Sequence, residues 1–335
     1  MTSDPFPLRS QPFGLAESDL LAEHARSLLS EWSLDSDLPI TLLNVSENTT
    51  FGIGADLVLR IHREGYSSVH EIESELAWLR AVRSDIGIAT PEVVPSIGGS
   101  AIVSSYVAAL DSERYIVLFK RLPGAEPAES QLKDLFEPLG ALTARLHLHA
   151  ATWVKPVLFV RRVWDLDRSI GDRGHWGHWR DGLGVGPAEA DVLARLADRI
   201  VQRLSAFGLG PRRFGLIHAD LRLANLLVAT NGEISILDFD DSGFSWFGYD
   251  LGSSLSFIED HPDRDELIDL WCSGYQSVAP LEAEVRRELM TFVMLRRLIL
   301  TAWFGTHPDI ELAQTIGKTF AQGSCALAEK YLSDS

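Results

Sequence analysis

The chain has 335 residues with ordinary apolar (46%) and charged (23%) fractions, enough for a large core and for two lobes or domains. Its formal net charge of −17 argues against nucleic acid or an anionic membrane as a partner, because phosphate binding is driven by Lys and Arg. The excess acid is compatible with a cationic substrate, or with solubility alone.

Residues 1–14, "MTSDPFPLRSQPFG", read as a loose extension without the basic and apolar regions of a signal peptide. Leu15 to Trp32 has helical spacing. "PITLLNV", "TTFGI" and "DLVLRIH" are three short strands separated by turns at Ser46–Thr49 and Gly54–Asp56. Ile72, Leu76, Leu79 and Val82 mark an amphipathic helix from His70 to Arg83. Two or three strands follow, around Gly98-Gly99 and ending in "YIVLFKR", before the Leu122-Pro123-Gly124 corner. Helices are predicted over Leu132–His149, with Pro138 as a kink or restart, and over Glu189–Phe207. Short strands surround "LIHADLRLANLLV" and "ISILDFDDSG", and the last third, Asp263 to Tyr331, is helical again. The apolar run Leu289–Phe304 is interrupted by Arg296 and Arg297, which fits a buried helix better than a bilayer span. The organisation is therefore α+β: a strand-rich part, 1–119, and a larger, mainly helical part, 120–335, with a candidate hinge near 119–124. Cys272 and Cys325 lie in no metal or CxxC spacing, as in a reduced cytoplasmic protein.

Two polar clusters at the ends of buried strands carry the chemistry. "HADLRLAN", followed thirteen residues after its Asn by "DFDD", resembles the catalytic core of protein-kinase-like phosphotransferases. Within that group it is similar to the aminoglycoside phosphotransferase and choline kinase family, near the type II homoserine kinases and bacterial stress-response Ser/Thr kinases. The resemblance covers roughly residues 40–300 and implies a two-lobe kinase-like fold, with ATP and Mg²⁺ as cofactors and a small-molecule hydroxyl as acceptor. By motif position it makes Asp220 the base or orienting carboxylate and directs Arg222 at the transferred phosphoryl group. Asn225 and Asp238 become metal ligands, with Asp240 a further carboxylate of the metal shell. Asp241 is left as a turn former or a substrate contact. His218 and Asp250 read as structural.

The same resemblance places Arg60 where kinases grip the α- and β-phosphates, paired to Glu75, although protein kinases carry Lys at that position. Ser46, Asn48 and Thr49 would meet phosphate from the first turn. Phe119, Lys120 and Leu122 lie in the hinge whose backbone would bond adenine. The polar, aromatic insert Arg161–Gly182 would line the acceptor site, with Trp176 and Trp179 against a cation or sugar, or would instead staple a loop. His175 and His178 lack the further ligands a metal site needs. A Ser/Thr protein kinase and a nucleotide-binding pseudokinase are the competing readings.

Overall fold

A computed structural model describes residues 15–334, with side chains from residue 17 onward, so the expected N-terminal extension lies outside the described residues. The chain divides into two compact units. Of the described residues, the first takes in those up to Arg80 with Thr90–Leu122 and Pro156–Val160; the second holds Ala81–Ala89, Pro123–Lys155 and those from Arg161 on.

The first unit carries α1 (Leu15–Leu28), β1 (Ile40–Val45), β2 (Asn48–Ile53), β3 (Leu57–His62), most of α2 (Val69–Ile86), β4 (Glu92–Val93), β5 (Val103–Val107) and β6 (Ser112–Lys120). The strands form one antiparallel sheet in the order β1-β2-β3-β6-β4, with β5 also on β6. Side chains alternate along β3, as a pleated strand requires. Leu59 and Ile61 join Leu21, Ala25, Leu28 and Trp32 of the N-terminal helical segment in one core. Val58 packs with Ile72 and Leu76 of α2 in another. Arg60 shares the parity of Val58, so its charge is delivered to the α2 side of the sheet.

After the end of α2, the second unit carries α3 (Leu132–Thr152), β7 (Arg162–Val163), α4 (Leu166–Ile170), α5 (Pro187–Phe207), β8 (Phe214–Ile217), β9 (Leu226–Val228), β10 (Ile234–Ile236) and β11 (Gly243–Trp246). It closes with α6 (Tyr249–Ser254), α7 (Arg264–Gln276), α8 (Ala283–Thr306) and α9 (Glu311–Asp334). Pro138 does not break α3. It stands on the exposed face beside exposed Asp134, whose carbonyl loses its helical donor but can turn to water. α5 starts at Pro187 rather than Glu189: proline suits the first helical turn, and Glu189 reaches back to accept from the Gly186 amide at 3.1 Å. The insert 161–182 is a short strand, a one-turn helix and a 3₁₀ turn, not an open loop. α8 is long and apolar enough to cross a membrane, yet 83% of its apolar window is buried inside the protein.

α3 and α7 approach so closely that glycine is obligatory at their crossing. A Cβ on Gly274 would sit 1.8 Å from the Glu137 carbonyl oxygen, and one on Gly140 would sit 2.0 Å from that of Trp271. Backbone cannot yield as a side-chain tip does. Gly274→Ala is therefore expected to destabilise the protein by about 3 kcal/mol, measured by denaturant unfolding; a loss below about 0.5 kcal/mol, as for an exposed helical site, would contradict this packing.

Candidate active site

β8 carries the chain into His218-Ala219-Asp220, and a 3₁₀ turn over Leu223–Asn225 returns it to β9. The loop is held from below by Asp250 of α6, which is fully buried. Its Oδ1 accepts from the Ala219 amide at 2.7 Å, and its Oδ2 from the His218 amide at 3.2 Å. His147 of α3 contributes Nε2 to the same Oδ2 at 3.0 Å, while its Nδ1 meets the Tyr275 hydroxyl at 3.1 Å. Ala219 sits at φ +68°, a conformation that costs an L-residue about 1–2 kcal/mol, and Asp250 fixes it there. His218 accepts the Asp220 amide on Nδ1 at 3.2 Å, so its Nε2 carries the proton and donates to the Leu237 carbonyl at 2.9 Å. Burial lowers the imidazole's pKa, which keeps it neutral and structural.

Asp220 is 7% exposed, and donors meet both its oxygens. Oδ2 accepts from Asn225 Nδ2 at 2.6 Å and from Arg222 Nε at 3.3 Å. Oδ1 accepts from Arg296 of α8. Burial alone pushes the carboxyl up, but the guanidinium groups of Arg296 and Arg222 outweigh it and hold the group below the ordinary aspartate range. Arg296 also donates to Ser256 Oγ at 3.1 Å and to the Tyr249 hydroxyl at 3.3 Å. Burial pushes the Tyr249 phenol up to about 12, so it stays neutral.

The Asp238–Asp241 segment is tied from the insert. Arg161 donates to the carbonyls of Ser242 at 2.6 Å, Phe239 at 3.1 Å and Asp240. Arg162 pairs with Asp241 at 3.3 Å, and the Trp164 indole donates to the Asp241 carbonyl at 2.9 Å. Asp238 is half-buried with φ +55°, which aspartate tolerates better than most residues. Among the described residues, no three His, Cys, Asp or Glu side chains come together in a metal-binding group. The donor set offered by Asn225 and Asp238 is instead oxygen-only and sparse. Because Nδ2 of Asn225 is spent on Asp220, the end of its amide left as an acceptor is Oδ1. Such a set fits a hard divalent ion whose shell is completed by phosphate oxygens and water.

In the first unit, Arg60 Nη1 pairs with Glu75 Oε1 at 2.8 Å, with side-chain exposures of 10% and 0%. The guanidinium lies 5.4 Å from the Phe119 ring centre. Ser46 and Glu47 form the β1–β2 turn, and Asn48 already opens β2. Asn48 and Thr49 are both buried, and the Thr49 hydroxyl is shut off from solvent. Lys120 is an exposed side chain paired to Glu92 at 2.6 Å, and Leu122 is half-buried at the end of the unit.

Trp176 and Trp179 are both buried, at 4% and 2% exposure. Trp176 packs edge-on against Trp164 and Trp303, and its ring lies 5.6 Å from the Arg296 guanidinium; it reaches the site through Arg296. Trp179 lies beneath the Arg180 guanidinium and helps wall an open cleft of about 360 Å³ with Asp167, Asp172 and Asp198. His175 bonds the Val163 carbonyl at 3.0 Å, and burial, with Arg162 nearby, pushes it down to about 4. Sequence reasoning missed Arg296, Arg161 and His147 as parts of the site. Two adjacent arginines in an otherwise uncharged apolar run were the available signal for the first.

The profile of the phosphotransferase enzyme family matches residues 40–286. The solved structure of a microcompartment-associated aminopropanol kinase is 42% identical and superposes with a TM-score of 0.86 over 93% of this chain and 98% of that one. An amicoumacin kinase in complex with AMP-PNP, Ca²⁺ and Ami is 21% identical, with a TM-score of 0.75 over 91% and 92% of the two chains. By sequence, the amicoumacin kinase of Bacillus subtilis (strain 168) is 23% identical over 254 residues, 72% of each chain.

Asp250→Asn keeps the acceptor for Ala219 but turns an NH₂ toward the His218 amide and His147, replacing a buried acceptor by a donor. We expect a loss of about 3 kcal/mol in denaturant unfolding, with faster exchange of the His218 and Ala219 amide protons. Unchanged exchange at those two amides would contradict the bracing role.

Proposed function

The chain belongs to the phosphotransferase enzyme family, and we propose that it moves the γ-phosphoryl group of ATP to the hydroxyl of a small amino alcohol. The observation that carries the phosphotransfer reading is the Asp220 carboxylate, ionised and bonded to Asn225 and Arg222 in one loop. Asp220 accepts a hydrogen bond from the acceptor hydroxyl and sets the direction of its lone pair. The hydroxyl oxygen bonds to the γ-phosphorus, the bond to the β–γ bridging oxygen breaks, and ADP leaves with that electron pair. The hydroxyl proton passes to the Asp220 carboxylate and from there to solvent. Arg222, half-buried and only loosely bonded to Asp220, is placed to turn toward the charge on the transferred group. A divalent cation, taken as Mg²⁺, would be held by Asn225 and Asp238, with Asp240 as a further carboxylate of its shell, and would supply charge neutralisation at the phosphates. In the first unit, Arg60 is the phosphate-binding cation, with Glu75 fixing its direction.

The amino alcohol class is supported by the 42% identical relative, an aminopropanol kinase, and a cationic acceptor is compatible with the net charge of −17. That relative also favours a small molecule over a protein substrate. The presence of Asp220, Asn225 and Asp238 together favours transfer over nucleotide binding alone.

Incubating the protein with Mg-ATP and a panel of amino alcohols, hydroxy amino acids and aminoglycosides, with ³¹P NMR as readout, is expected to give a phosphomonoester resonance with an amino alcohol. Asp220→Ala should lower that rate by about 100-fold or more while leaving ATP binding nearly intact. Ester formed only with hydroxy amino acids or aminoglycosides would overturn the acceptor class, and wild-type turnover in Asp220→Ala would overturn the role of Asp220.

A further inference from the structure

Arg296 is the least expected group at the site. It lies in α8 within Phe292–Phe304, where every residue is buried, and is itself 2% exposed. A guanidinium in such a place is unfavourable unless its donors are matched by acceptors. They are matched on three elements: Asp220 in the loop after β8, Tyr249 in α6 and Ser256 just beyond α6. The Trp176 ring covers the guanidinium. Packing alone would be served as well by an apolar side chain of similar length, so the charge answers to Asp220.

The two arginines on Asp220 differ in kind. Arg222 reaches Oδ2 at 3.3 Å from a side chain that is 27% exposed, and it can leave. Arg296 holds Oδ1 from a side chain that is 3% exposed and locked on every donor nitrogen. Asn225 also reaches across to Oδ2, and its amide is fixed by a second bond to the Asp220 carbonyl at 2.9 Å. The carboxylate is thereby fixed in plane and rotation, Oδ1 by one donor that is locked in place and Oδ2 by Asn225 together with a donor that can leave.

We propose that Arg296 is the positioning residue of the acceptor site: it anchors Oδ1 of Asp220 with a donor that cannot leave, so that Oδ2, whose bond to Arg222 opens when that side chain turns to the phosphoryl group, is the oxygen an acceptor hydroxyl bonds. This rests on the phosphotransfer reading given above. Arg296 does not touch the acceptor, and acts through the orientation of Asp220. A carboxylate freed on Oδ1 can rotate and meet the hydroxyl in unproductive directions, and small misplacements are costly in rate.

The test compares Arg296→Lys, Ser256→Ala and, as a control, Arg297→Lys. Lysine keeps the charge but not the fork of donors. Ser256→Ala removes only the acceptor of Nε and is the milder change should Arg296→Lys fold poorly. Arg297 is an equally buried neighbour whose partners are Glu259, Ser324 and the Phe320 carbonyl, not Asp220. Turnover is counted per ATP-binding molecule, both for ester formation from an amino alcohol and for basal ATP hydrolysis, in which water takes the acceptor's place. Arg296→Lys is expected to lower kcat about 100-fold in both assays with ATP affinity unchanged. Ser256→Ala should lower it roughly 10-fold, and Arg297→Lys should leave it as in the wild type. Wild-type kcat in Arg296→Lys, or an equal loss in Arg297→Lys, would overturn the positioning role. If the wild type makes no ester, the acceptor reading fails by itself, and the hydrolysis ratios still decide the role of Arg296.

Discussion

A carboxylate has to stay charged and point one way while almost wholly removed from water, and the second unit is arranged around that demand at Asp220. Burial favours the neutral acid, and an isolated aspartate there would take up a proton. The guanidinium of Arg296, with Arg222 on the other oxygen, reverses the preference. Bringing Arg296 to that point requires α8 to carry a charge through an apolar interior. Tyr249 and Ser256 then match its remaining donors, and Trp176 seals it. Beside it the balance falls the other way: Arg297 pairs with buried Glu259 at 2.6 Å, yet burial outweighs the guanidinium and pushes that carboxyl up.

The backbone around Asp220 is under a matching constraint. The loop includes Ala219 in the left-handed region, and the strain persists because Asp250 bonds the two amides that define the turn. His147 and Tyr275 hold Asp250 in turn. Arg161 does the equivalent work for the Asp238–Asp241 segment by gathering three carbonyls. In the first unit the Arg60–Glu75 pair is built the same way, a buried cation matched by a buried acid across the sheet and α2. Neither unit leaves these buried charged side chains to loops alone; each is fixed by partners on rigid helices and strands.

Much of this was legible in the sequence, for reasons of range. Strand alternation and helical spacing are local, so the elements of both units, and the parity that sends Arg60 toward α2, followed from short windows. The His-Ala-Asp and Asp-Phe-Asp-Asp clusters were legible because their parts lie within about twenty residues on adjoining strands. Arg296 was not, since it meets Asp220 from 76 positions away and only folding creates the pair. The Ser46–Thr49 turn is shorter than its polar composition suggested: it uses only Ser46 and Glu47, and strand pairing starts at once after them. Trp176 and Trp179 were ambiguous in kind: an aromatic, charged stretch reads alike whether it lines a pocket or packs around a buried ion.

The account turns on which oxygen of Asp220 receives the acceptor. The most direct measurement is a crystal structure of the protein with a non-hydrolysable ATP analogue, Mg²⁺ and an amino alcohol. The account predicts the acceptor hydroxyl within about 3 Å of Asp220 Oδ2, with Arg296 still on Oδ1 and Arg222 turned to the γ-phosphate. A hydroxyl bonded elsewhere, or an Arg296 displaced from Asp220 in the ternary complex, would contradict it.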